Sequence, residues 1–75
     1  MRLGTVTFCI GYIVDLDSPL MVEHAKDLLF EDAEELALRD HAGFMACITE
    51  KADETLSESD IPEFFQDELA SDRRL

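Results

Sequence analysis

Hydrophobic and polar positions alternate from the start of the chain. Val6, Phe8, Ile10, Tyr12, Val14 and Leu16 fall at every second place, with Thr5, Thr7, Cys9, Gly11, Ile13 and Asp15 between them. A period of two belongs to a strand with one buried face, and the β-branched and aromatic residues suit a pleated surface. The pattern predicts one long strand over residues 3–16, with Gly11 as the place for a bulge or bend. Val6, Phe8, Ile10 and Tyr12 are candidates for its core face, or for a face shared with a second copy.

After Asp17 the period changes. Ser18 can cap a helix, and Pro19 suits the first helical position, where its missing N–H costs nothing. Val22, Ala25, Leu29, Ala33 and Leu36 recur at three- and four-residue steps, widened by Met21, Leu28, Phe30 and Ala37. This predicts a helix over residues 19–39. Gly43 suits a left-handed turn, and the apolar run that follows predicts a buried strand over residues 44–49. Residues 51–58 are polar and read as exposed. Asp60, with Glu63 three places on, has the spacing of a capping box, so a last helix is expected over residues 60–70. Ile61, Phe64, Phe65 and Leu69 form its apolar face, and Arg73 and Arg74 follow its end.

The order strand, helix, strand, helix predicts a single α/β or α+β domain over residues 1–75. Its two strands would be parallel, joined by a right-handed crossover, with both helices on one face. Two strands are too few to be stable alone and leave an open edge. A homodimer completing the sheet is the expected remedy; a strand from a partner protein is the alternative.

Charge narrows the choice of partner. The chain has 18 Asp and Glu against 6 Lys and Arg, a net charge of −12. Such a polyanion repels nucleic acid and anionic lipid, so direct nucleic-acid binding is excluded and a basic protein surface is the natural complement. Glu23, Asp27, Glu31 and Glu35 follow one another at four-residue steps, with Glu34 beside the last. Like charges so spaced destabilise a helix by roughly 0.2–0.5 kcal/mol per pair, or about 0.6–1.5 kcal/mol for three consecutive pairs. Glu–Lys pairs would have given solubility without that strain. Asp53, Glu54, Glu58, Glu63 and Asp67 belong to a second acidic group. Carboxylates about 6 Å apart along a helix imitate a phosphate backbone, so the expected function is inhibition or modulation of a nucleic-acid-binding protein. In size and charge the chain is similar to the anti-restriction and anti-CRISPR proteins of phages, which block nucleases. The plain alternative is an adaptor whose acidic surface serves solubility. A third reading docks the acidic–aromatic stretch at Phe64 and Phe65 into a partner's groove.

Other chemistry is sparse. Cys9 and Cys47 are too few for a disulfide framework and lie in apolar runs, where free cysteine is expected to be buried. The chain reads as cytoplasmic. Arg2 before an apolar run imitates a leader, but the run alternates and ends in Asp15-Leu16-Asp17 without a small-residue cleavage site. No stretch approaches the ~20 apolar residues that span a bilayer. Cys9, His24, His41 and Cys47 show no zinc spacing, and no metal or other cofactor is expected. Tyr12-Ile13-Val14-Asp15-Leu16-Asp17-Ser18-Pro19-Leu20 resembles the first motif of the haloacid dehalogenase superfamily of phosphatases, a hydrophobic strand ending in Asp-x-Asp. The resemblance implies Asp15 as nucleophile, Asp17 as acid–base and a magnesium ion against the phosphate. It covers nine residues, and Ser18-Pro19 stands where that family usually has Gly-Thr. The family's later lysine and acidic pair find no place in the remaining chain. Aspartates before a helix also interact well with its N-terminus, and the expectation is a protein that acts by binding.

Overall fold

The long strand expected over residues 3–16 is a hairpin. In the computed structural model, which describes residues 1–73, β1 (Leu3–Phe8) turns at Cys9 into β2 (Ile10–Asp15). Arg74 and Leu75, and so the second of the two arginines expected past the last helix, lie outside the described residues. Hairpin and single strand give the same sequence pattern for a geometric reason. Gly4 pairs with Val14, Val6 with Tyr12 and Phe8 with Ile10, so alternation passes unbroken through the turn. The bend falls at Cys9, whose φ of 64° is left-handed, at a cost of about 1 kcal/mol for a residue with a Cβ. Gly11 instead lies opposite Thr7, where a Cβ would meet the threonine Oγ1 at 2.8 Å.

The sheet has three strands in the order β2-β1-β3, all antiparallel, which corrects the parallel two-stranded arrangement. β3 is Thr49–Ala52, and the apolar run assigned to a strand over residues 44–49 is mostly helix, α3 (His41–Cys47). Asp40 decides this locally: its carboxylate accepts the Gly43 N–H at 3.0 Å, capping α3. Gly43 thus sits inside a helix rather than at a left-handed turn. β3 carries no hydrophobic signal because all four of its residues are exposed at the sheet edge. Its pairing with the central strand is a backbone matter. With a third strand in place, the premise of a two-stranded sheet needing a second copy falls away.

Only one side of the sheet holds the core. Val6 and Val14 point to the same face, and there they meet Met21, Ala25 and Leu29 of α1 (Pro19–Asp32), Phe44 of α3, and Phe65, all buried. The Phe44 ring packs edge-on against Phe8 at 4.9 Å and Phe30 at 6.0 Å between centroids. Val6, Phe8 and Tyr12 are therefore turned to the helices, while Ile10 is 50% exposed. The opposite face carries Thr5, Thr7, Ile13, Thr49 and Lys51.

The helix expected over residues 19–39 is broken at Ala33 (φ −122°, ψ 33°) into α1 and α2 (Glu34–Arg39). Ser18 caps α1 as expected, its hydroxyl accepting the Met21 N–H at 3.3 Å. The far end explains the break: α1 closes on Glu31 and Asp32, acids that a helix C-terminus disfavours, whereas restarting places Glu34 and Glu35 in a first turn and Arg39 in a last one. The restart also shifts the inward face, so Ala37 is buried and Leu36, expected in the core stripe, is 45% exposed.

Beyond β3 the capping box is present one turn early. Ser57 and Asp60 form it around a 3-10 turn at Glu58–Asp60. Pro62 and a second 3-10 turn, Glu63–Phe65, then delay the last helix, α4, to Gln66–Arg73 rather than residues 60–70. Ile61, Phe65 and Leu69 close the core as read, and Phe64 does not: it is 51% exposed.

Gly4 is the tightest point of the sheet. A Cβ there would collide with the Lys51 carbonyl oxygen and stand 2.9 Å from the Ala52 Cα, both backbone atoms of β3. Gly4→Ala is expected to lower unfolding free energy by about 2 kcal/mol in urea denaturation and to expose the β3 amides to hydrogen exchange. Unchanged protection at Thr49–Ala52 would contradict the close approach.

Candidate interaction surface

α1 lies on the sheet with its sides and crest clearly divided. Met21, Val22, Ala25 and Leu29 face inward. At 100° per residue this puts His24 and Leu28 on one flank and Lys26 and Phe30 on the other. The flanks are engaged. His24 Nδ1 meets Glu68 Oε1 of α4 at 2.5 Å and its ring packs edge-on to Phe65; Lys26 Nζ lies 3.9 Å from Glu50 Oε2 of β3. Outward stand Glu23, Asp27 and Glu31, all exposed, with the exposed Leu20 of the first turn in line with them.

The row is shorter than the spacing suggested. Glu35 belongs to α2, across the break, and bonds Arg39 at 3.2 Å. Two like-charge steps therefore remain on one helix instead of three, costing about 0.4–1.0 kcal/mol. Glu34 is exposed beside Glu35. Among the described residues, four pairs bring a basic side chain or histidine to a carboxylate: Arg2–Asp17, His24–Glu68, Lys26–Glu50 and Arg39–Glu35. None of them includes Glu23, Asp27 or Glu31.

The second acidic group divides between two places. Glu63 and Asp67 are exposed near and on α4, which the His24–Glu68 pair holds against α1. Glu68 itself turns inward, and its Oε2 is buried without a hydrogen-bond partner. Asp53, Glu54 and Glu58 lie instead in the segment leaving β3, tied to the sheet end where the Asp53 N–H donates to the Leu3 carbonyl at 3.0 Å. There the Asp53 carboxylate accepts both the Thr55 N–H and hydroxyl, at 2.9 and 2.6 Å. These bonds hold its pKa below the ordinary carboxylate value.

The remaining candidates have local duties. Asp15 Oδ1 accepts the Arg2 and Asp17 amides at 3.1 and 3.0 Å, and Asp17 pairs with the Arg2 guanidinium at 3.2 Å. Cys9 and Cys47 are both exposed, contrary to the burial expected of them: one sits at the hairpin tip and the other at the exposed end of α3. His41 opens α3, with its ring 6.1 Å from that of Phe30. Among the described residues no group of three His, Cys, Asp or Glu is arranged to hold a metal ion, and no helix is long and apolar enough to cross a membrane.

Sequence reasoning missed a hollow formed by the hairpin tip and the α2–α3 corner. Phe8, Leu36, Asp40, Gly43, Phe44 and Cys47 line a largely apolar cleft of about 180 Å³. Its signal was an unbroken apolar stripe, which assigned Leu36 to the core. No family model matches the chain, and neither a curated protein nor a solved structure shows significant similarity to it.

Two outcomes follow. Asp27→Lys turns two like-charge steps into two opposite-charge ones and is expected to raise stability by about 1 kcal/mol at low ionic strength, the gain shrinking with added salt. Thermal unfolding at two salt concentrations measures it; no gain at low salt would mean that the row stores no repulsion. The Tyr12 hydroxyl donates to Asp32 Oδ2 at 2.8 Å, and this bond, with partial burial and the nearby negative charges of Asp32 and Glu31, raises the phenol above its ordinary value of 10.0. A raised folded-state pKa contributes stability that is fully present below the unfolded value and lost as pH climbs through the folded one. Tyr12→Phe should cost about 0.5 kcal/mol at neutral pH, the low end for a bond to an exposed partner. It should also flatten the loss of stability above pH 10, read by denaturant unfolding across that range.

Proposed function

We propose that the chain is a non-enzymatic inhibitor or modulator that binds a nucleic-acid-binding protein, presenting carboxylates where that protein expects phosphates. One observation carries the reading: Glu23, Asp27 and Glu31 stand exposed on one crest of α1, in none of the four pairs that engage other acids. Solubility alone does not call for such a row, because alternating lysines would dissolve the helix equally well and stabilise it. Glu34, Glu63 and Asp67 add exposed charge on neighbouring elements. An array of this kind acts first on encounter, speeding association with a cationic groove and making it steeply salt-dependent. Free thiols at Cys9 and Cys47 fit the reducing setting of a cytoplasm. A second copy paired along the exposed edge of β3 would double the acidic surface, and the reading holds for monomer and dimer alike.

Immobilised protein incubated with host extract at low salt should retain proteins that bind a fluorescein-labelled random duplex, and free chain should displace that duplex. Reversing Glu23, Asp27, Glu31 and Glu35 to lysine should weaken the displacement by about tenfold or more, with circular dichroism confirming the fold. Undiminished displacement by the folded variant, or retained proteins indifferent to DNA, would overturn the proposal.

A further inference from the structure

Leu36 is a ridge between two depressions of different chemistry. On one side is the apolar cleft, floored by Phe8 and Phe44 and edged by Cys47. On the other is an open hollow bordered by Asp32 and by the Glu35–Arg39 pair, where the acidic crest of α1 runs out one residue past Glu31. Asp40 closes the far side of the cleft, its carboxylate fixed by the Gly43 amide at 3.0 Å. The cleft has room for one large apolar side chain. Leu36, 45% exposed, would cover such a side chain on entry, removing apolar surface of both partners from water.

We propose that this cleft is where the basic partner is anchored: it receives a leucine- or phenylalanine-sized side chain flanked by lysine or arginine. Charge selects that occupant. An apolar residue among acids would bring carboxylates against Asp32 and Asp40, neither of which is in an ion pair among the described residues, whereas one among cations gains from both. The inference rests on the charge reading above and adds a division of labour to it. Exposed charge governs how fast partners meet, and a desolvated apolar anchor governs how long they stay.

The probe is a synthetic amphipathic helix of leucine and lysine, with a control in which alanine replaces leucine and the lysines are kept. In a Cys9→Ser background Cys47 is the one cysteine left, so its maleimide labelling reports access to the cleft. The leucine peptide should slow Cys47 labelling and bind more tightly than the control. Leu36→Gln should speed its dissociation by about tenfold while leaving the association rate unchanged. Lysine reversal of Glu23, Asp27 and Glu31 should do the converse, lowering association and its salt slope. Equal affinity for both peptides with Cys47 labelled at its free rate, or dissociation indifferent to Leu36→Gln, overturns the anchor and leaves the charge reading standing. Failure of both peptides to bind at low salt overturns both readings.

Discussion

A sheet covered on one side only must bury everything apolar between itself and a single layer of helices, and this structure meets that constraint through α1. Val6 and Val14 have no exposed surface, and the helix that covers them supplies Met21, Ala25 and Leu29, equally buried. α3 and α4 fill the margins with Phe44 and Leu69, and Phe65 closes the space just before α4. The buried residues form one cluster among the described residues, so a loss here falls on the whole core. Total stability for a chain this size is about 4–11 kcal/mol, and a single emptied phenylalanine site costs about 3–5 kcal/mol. The crest of α1 is free to carry charge because the inward face and the two flanks fix the helix in place.

Charge and stability therefore pull against each other on one element. Both flanks of α1 use charge cohesively, through His24–Glu68 and Lys26–Glu50, while its crest sets acid beside acid. The break at Ala33 limits the damage. By ending α1 at Asp32 and restarting at Glu34, the chain turns two acids that would burden the middle of a long helix into favourable first-turn residues. The same break exposes Leu36, so the relief of repulsion and the opening of an apolar cleft share one origin.

Much of the fold was legible in the residues, and the errors have definite causes. Ser18-Pro19 marked the start of α1 because a cap and a preset φ are local properties. Ile61, Phe65 and Leu69 were found as core through their spacing, even though the helix they were assigned to begins only at Gln66. The hairpin was hidden because Val6 and Tyr12 share a face whether the chain runs straight or turns at Cys9, and no turn dipeptide announces the tip. β3 was hidden because Thr49-Glu50-Lys51-Ala52 pairs by backbone alone. The apolar run before it was misread as strand, since Asp40 capping Gly43 is a choice that periodicity does not register. On the candidate surface, exposure of Glu23, Asp27 and Glu31 followed from helical phase. The separation of Glu35 did not, because it depends on where the helix stops.

The uncovered side of the sheet has an electrical consequence. Thr5, Thr7, Ile13 and Thr49 carry no charge, Lys51 is positive and the one acid at that end, Asp15, is buried, while Glu23, Asp27 and Glu31 stand on the crest of the helix packed over the opposite side. The molecule is thus a small slab, 38 × 24 × 18 Å, whose two broad faces differ in exposed charge. In the field of a cationic body, such a difference would exert a torque as well as an attraction, bringing the helix side forward.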